Sequence, residues 1–130
     1  LGHTFFALGL ATRESLKVHA ELWRSTLAEY GNTAPKELPI MREWFVDESS
    51  QHARERAKRA VEIKYGQYAK HGLPTAEKAL SNGIESLLED PFIVGSPSEC
   101  LEKLASLSDY GVTHVDLRLQ WPNMSQIEVA

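Results

Sequence analysis

Two short stretches carry the residue types that could do chemistry. In "VDLRLQWPNM", Val115 to Met124, an acid, a base and an amide stand at alternate positions: Asp116, Arg118 and Gln120. Side chains alternate across a strand, so these three share one face with His114, while Val115, Leu117 and Leu119 form an apolar back. Arg118 and Gln120 could hold a ligand at the end of such a strand. Alternatively, Asp116 and Arg118 make an internal pair that only fills space. In "LPIMREWFV", Arg42 and Glu43 are adjacent and must face opposite sides. One serves a ligand or an internal pair, and the other meets a helix terminus. Trp44 and Phe45 read as core before they read as a stacking platform.

Other reactive types have plain structural roles. His3, His19, His52, His71 and His114 show no metal-ligand spacing. Ser96 follows a strand but lacks the Gly-x-Ser-x-Gly frame of a nucleophile elbow, and capping accounts for it. Cys100 falls on the apolar stripe of a helix, and a lone cysteine allows no intrachain disulfide. "RERAKR" alternates with Glu55 and Glu62 at helical spacing and reads as a solvated face. No residue stands out as an acid–base catalyst.

The elements that position these residues alternate in type. Thr4 to Leu10 reads as a short buried strand, after Leu1-Gly2 at the end of a helix. Thr12 caps a helix over "RESLKVHAELWRSTLAEY", whose stripe is Leu16, Ala20, Trp23, Leu27 and Tyr30. Leu38 to Val46 is a strand. A long charged helix follows, with Ala53, Ala57, Ala60, Val61, Tyr65 and Tyr68 inside. "LPTAEKALSNGIESLLED" holds one or two short helices. Phe92 to Val94 is a minimal strand. Ser96-Pro97-Ser98-Glu99 is a capping box opening a helix that Gly111 ends. Val112 to Gln120 is the last strand, and "NMSQIEVA" could begin another helix.

Such alternation predicts parallel strands covered by helices. An open doubly wound sheet and part of a (β/α)8 barrel both fit. No Gly-x-Gly-x-x-Gly turn and no Walker-type loop is present. The 130 residues suit one domain. The net charge of −4, with both signs interspersed, gives no polyanion-binding surface, so nucleic acid is not an expected partner. No apolar run is long enough for a membrane span, and no signal-peptide pattern is visible, so the expected location is cytoplasmic.

"FIVGSPSECLEKLASLSDYGVTHVDLRLQWPNM", Phe92 to Met124, resembles the C-terminal signature of the bacterial-luciferase-like flavin monooxygenase family. That signature is a strand ending Val-Gly-Ser/Thr-Pro, a helix beginning Glu-Glu-Val, an Ala/Tyr-Gly-Val segment with a strand, then Gln-x-Pro-Gly-Met. Upstream, "LPIMREWFVDESSQHARERA" is similar to the family strand with a central Arg running into Val-Ala-Glu-Thr-Asp-Glu-Glu-Ala. Cys100 stands where the family has Val, and Asn123 replaces Gly, with a side chain that tolerates left-handed geometry.

The resemblance implies an α/β fold: the C-terminal half of a (β/α)8 TIM barrel, its fifth to eighth strands. Residues 1–130 would form one partial domain whose N-terminal half is absent. It implies FMN or coenzyme F420 as cofactor, a small organic substrate, and monooxygenation or hydride transfer carried by the flavin. By strand position it implies flavin-side contacts from Arg42, Trp44, Gly95, Arg118, Gln120 and Trp121. Arg118 would hold an anionic or carbonyl group, Gln120 would hydrogen-bond flavin or substrate, and Trp121 would wall the ring. A half-barrel leaves two open edges, so the chain is expected either to form a homodimer or to be part of a longer protein that supplies the missing N-terminal half. The alternative is a non-catalytic half-barrel module acting by self-association or by pairing with such a half.

Overall fold

The computed structural model describes residues 5–7 and 9–125. Its elements are α1 (Arg13–Glu29), β1 (Pro39–Val46), α2 (Ser50–Lys70), α3 (Pro74–Ser81), α4 (Ile84–Glu89), β2 (Ile93–Gly95), α5 (Pro97–Ser106), a 3-10 turn (Leu107–Tyr110) and β3 (His114–Arg118). The expected Leu1-Gly2 helix end, the first residue of the Thr4 to Leu10 strand and residues 126–130 lie outside the described residues. Within that first strand, Ala7 makes one parallel bridge to Ile40.

Local chemistry sets the helix boundaries. Thr12 accepts from the Ser15 N–H at 3.2 Å and opens α1. Gly31, at φ 69°, ends it: the Gly31 N–H reaches Ala28 O at 3.0 Å and the Asn32 N–H reaches Leu27 O at 2.8 Å. Ser49 caps α2 through the His52 N–H. Ser96 and Glu99 form the predicted reciprocal box on α5. In α2 the stripe Ala53, Ala57, Ala60, Val61 and Tyr65 is buried as spaced. The α1 stripe thins along its length. Leu16 and Ala20 are buried, Trp23 and Leu27 half-buried, and Tyr30 is 79% exposed, so the core holds only the first half of α1.

The three strands are parallel, in the order β2-β1-β3. Consecutive strands of a barrel lie side by side, so this order departs from the sequential one. Edge accounting explains it. Ala7 uses the Pro39 carbonyl and the Met41 N–H, and the Asp47 N–H reaches Gly95 O from the same edge of β1. The opposite edge of β1 needs partners of its own. Thr113 supplies the first: its N–H donates to Leu38 O at 3.1 Å, and its hydroxyl accepts from the Leu38 N–H at 2.8 Å. β3 then runs on beside β1.

The connections β1–α2–β2 and β2–α5–β3 travel in opposite directions across the sheet. Right-handed crossovers then require helices on opposite faces. Two core clusters agree. Phe45, Phe92 and Val94 pack with α2, α3, α4 and Trp121. Ile40, Ile93, Val115 and Leu117 pack with Leu16 of α1, Cys100 of α5 and Leu107. Val115 and Leu117 thus face helices as expected. On the polar face of β3, His114 and Asp116 are exposed, and Arg118 turns to Glu43. No helix among the described residues is long and apolar enough to cross a membrane.

Removing the box hydroxyl tests the α5 boundary. Ser96→Ala should lower unfolding stability by about 1 kcal/mol. Urea denaturation checks this, and an unchanged midpoint would mean the box does not hold the β2–α5 turn.

Candidate functional site at the carboxyl ends of the strands

In an open parallel sheet, ligands bind outside the carboxyl ends of the strands, where neighbouring strands are reached by connections running in opposite directions. Here that place lies between β1 and β3. A cleft of about 350 Å³ opens there. Trp44 and Phe45 of β1, with Leu119 and Met124 after β3, line its apolar wall, and Val46, Asp47, Glu48 and Arg56 complete it. Asn123, at φ 67°, makes the left-handed turn that brings Met124 back to this wall.

The rim is acidic. Asp47 accepts from the Glu48 N–H at 2.8 Å and from Arg56 Nη1 at 3.0 Å. The Glu48 amide first, and then Arg56, hold its carboxyl below the usual range. The Arg56 guanidinium lies over the Phe45 ring, 5.3 Å from its centre. The rim therefore sets two carboxylates against one guanidinium already bound to one of them.

Behind the cleft is a buried ionic cluster. Glu43, 1% exposed, sits on the α2 face of β1. Its Oε1 accepts from Lys64 Nζ at 2.5 Å, Tyr65 OH at 3.1 Å and Arg118 Nη1 at 3.5 Å. Lys64 also lies 5.0 Å from the Trp121 ring centre. Burial, and then the Glu43 charge, push the Tyr65 phenol far above its ordinary value. Among the described residues, Glu43 Oε2 and Arg42 Nη2 are buried without a hydrogen-bond partner.

The six residues expected at a flavin site fall into two groups. Trp44 lines the cleft, Gln120 is exposed beside it, and Arg118 is part-exposed next to Glu43. Arg42, Gly95 and Trp121 lie in the scaffold. Arg42 is buried, its Nη1 donates to Met41 O at 3.3 Å, and burial lowers its pKa. Gly95, at φ 155°, backs onto the box: a Cβ there would lie 2.6 Å from a Glu99 carboxylate oxygen. Trp121 is 2% exposed, packs edge-on against Phe45 and Phe92, and donates Nε1–H to Trp44 O at 2.8 Å.

Two expectations are corrected. The partner of Arg118 is Glu43 and not Asp116, which is exposed, because the register sets Arg118 directly opposite Glu43. The "RERAKR" helix face is not simply solvated. Arg54 binds Glu89 at 2.5 Å and Glu85 at 3.4 Å, Lys58 binds Glu85 at 3.1 Å, and these ties hold α2 to α4.

Lys64, Asp47, Arg56, Leu119 and Met124 are the site residues that sequence reasoning missed. A signal existed for Lys64. It follows Ala57, Ala60 and Val61 at three- and four-residue steps, on the buried stripe of α2, where a cation demands an acid opposite.

No family model matches the chain, and no curated protein matches it in sequence. Solved structures do match in fold. Monooxygenase RslO1 from Streptomyces bottropensis superposes with a TM-score of 0.67 at 18% identity, over 98% of this chain and 38% of its own. The oxygenating constituent of 3,6-diketocamphane monooxygenase from the CAM plasmid of Pseudomonas putida, a Type II Baeyer-Villiger monooxygenase in complex with FMN, gives 0.58 at 19% identity. That match covers 85% of this chain and 35% of the other. Apo-MsnO8 gives 0.56 at 15%, over 90% and 39%. The chain spans little more than a third of these proteins. Its fold is a three-strand parallel α/β arrangement consistent with part of an α/β barrel, and it is similar to part of two monooxygenase structures, one of them in complex with FMN.

The ionic cluster gives two expectations. Glu43→Gln strands the Lys64 ammonium without its countercharge and should cost about 3 kcal/mol in urea denaturation, part of it recovered by adding Lys64→Met. A loss under about 0.5 kcal/mol would make the cluster peripheral. The second concerns alkali. The fold keeps Tyr65 neutral, while the unfolded chain ionises it near pH 10. The unfolded state then binds fewer protons, so stability should fall as pH rises above about 10. Tyr65→Phe should flatten that fall in melting experiments, and an unchanged alkaline slope would exclude Tyr65 as its source.

Proposed function

We propose that this chain forms the C-terminal part of a luciferase-like flavin-dependent monooxygenase or oxidoreductase, corresponding to the last four strands of its barrel. FMN or F420 would be the cofactor, with a small organic molecule as substrate. The observation that carries this reading is the cleft at the carboxyl ends of β1 and β3, in a fold similar to part of two monooxygenase structures.

The residues present fit a flavin in part. Trp44 offers an aromatic side chain to a flat ring, and Arg118 and Gln120 offer polar contacts beside it. The rim does not suit a phosphate, because Asp47 and Glu48 outnumber Arg56. The phosphate contacts therefore belong to another part of the protein. When bound, the flavin supplies the oxygen or hydride chemistry. The chain's own residues shape the site. Trp121 fixes the Trp44 carbonyl and so the wall, and Leu119 and Met124 exclude water. Arg42 and Gly95 act from behind, through the strands they stabilise. Completion of the barrel would take a second copy or the N-terminal half of the barrel.

Titration with FMN and with F420 tests this reading. One of the two should quench tryptophan fluorescence and shift the flavin absorption, with a loss of several-fold in affinity on Trp44→Ala. No change with either flavin, together with a dimeric mass in solution, would favour the alternative, a non-catalytic module acting by self-association.

A further inference from the structure

We propose that the outer edge of β3 pairs with the β3 of a second copy of this chain, antiparallel and centred on Leu117. The proposal does not rest on the flavin reading. It names the surface and the register at which a second copy docks.

The strand order ends at β3, and among the described residues the outer edge of His114–Arg118 makes no backbone hydrogen bond. An unpaired strand edge is a template for pairing. The other end of the sheet is guarded, since Lys103 Nζ donates to Val94 O of β2 at 3.0 Å. β3 has no such guard: it contains neither proline nor lysine, and its register with β1 runs without a bulge.

Charge selects the occupant. The buried cluster holds two cations, Lys64 and Arg118, for the single carboxylate of Glu43. Lys64 is the inner one, 2.5 Å from Glu43 with its side chain 8% exposed. Arg118 is the outer one, 3.5 Å from Glu43 with its side chain 40% exposed. The surplus positive charge therefore stands on β3. Asp116, on the same face, is exposed and makes no ion pair or hydrogen bond among the described residues. A two-fold axis normal to the sheet keeps like faces together, so the available registers are those centred on a residue. Centring on Leu117 sets Asp116 of each copy opposite Arg118 of the other and matches both surplus charges. Continued one residue past the strand, the same register sets Val115 opposite Leu119, which is 39% exposed. Centring on Asp116 would oppose two carboxylates, and centring on Arg118 two guanidinium groups. Centring on Val115 would leave Arg118 unmatched.

The mass of the chain by light scattering after gel filtration, from roughly 5 to 200 µM, tests for the dimer. Five residues of strand make a small interface, so the dimer should be reversible. Asp116→Lys, at an exposed position, should raise the dissociation constant about tenfold or more, because it opposes like charges at two symmetric places. Leu117→Cys places two thiols directly opposite across the axis, within disulfide reach, and mild oxidation should link the copies. Asp116→Cys places its thiols on a diagonal, with Cα atoms about 8 Å apart, and should link far less. The unsubstituted chain, whose Cys100 is buried, should not link.

A monomeric mass throughout that range, a dissociation constant unmoved by Asp116→Lys, or linkage at position 116 in preference to 117 would overturn the proposal. Flavin binding is read separately. A β3 dimer that binds neither flavin keeps this proposal and removes the monooxygenase reading, and a monomer that binds one of them does the reverse.

Discussion

A carboxylate buried at the centre of the sheet is the constraint on which the structure depends. An isolated charge in that position would be very unfavourable. Glu43 is tolerated because Lys64 and Tyr65 reach it from α2 and Arg118 reaches it from β3. The three donors come from two different elements, so satisfying one oxygen also fixes geometry. Glu43 and Arg118 stand directly opposite in the ladder, and a one-residue slip would turn Arg118 toward the α1 and α5 face, where Val115 and Leu117 now pack. Lys64 and Tyr65 set the rotation of α2 about its axis. A buried ion pair is weak evidence for net stability, but it does penalise every alternative arrangement that would leave Glu43 alone.

The cleft lies one residue beyond this cluster and inherits its precision. Trp44 and Phe45 follow Glu43, and Leu119 follows Arg118. Trp121 closes the arrangement from the α2 side: its indole fills the space between Phe45, Phe92 and Lys64, while its N–H holds the Trp44 carbonyl. A tryptophan can do both because its body is apolar and its single donor sits at one edge. The site's wall is therefore a by-product of core packing. The same residues that exclude water from the ionic cluster also line the cleft.

Much of this was legible in the residues. Periodicity located α2, and periodicity with caps located α1 and α5, because Thr12, Ser96, Glu99 and Gly111 each satisfy a backbone requirement at a helix end. Alternation placed Val115 and Leu117 correctly. The strand order was not legible. It depends on which edge of β1 the Thr113 hydroxyl and Ala7 occupy, and those bonds join residues far apart in the chain. The site was legible only in part for the same reason. Arg118 and Trp44 are marked by their strands, whereas the partner of Arg118 follows from register. Trp121 looked like a ligand wall because it lies beside polar residues, and its burial follows from a turn, Pro122-Asn123, that folds the chain back over the core.

The relation between this sheet and a barrel turns on one edge. The unit β1–α2–β2 has the same form in both, since β2 is the immediate neighbour of β1. The difference lies in α5 and β3, and in Ala7, which bridges β1 on the same edge as β2. A sequential order would put β3 on the outer edge of β2, against the Val94 carbonyl. Lys103 occupies that carbonyl here: its Nζ donates to Val94 O at 3.0 Å and to Leu88 O at 3.1 Å. Burial depresses the pKa of this amine, so its two carbonyl contacts are what keep a half-buried ammonium in place. A lysine over a strand edge is an established way of blocking pairing there. The edge of β2 is thus closed by a side chain and the far edge of β1 by β3.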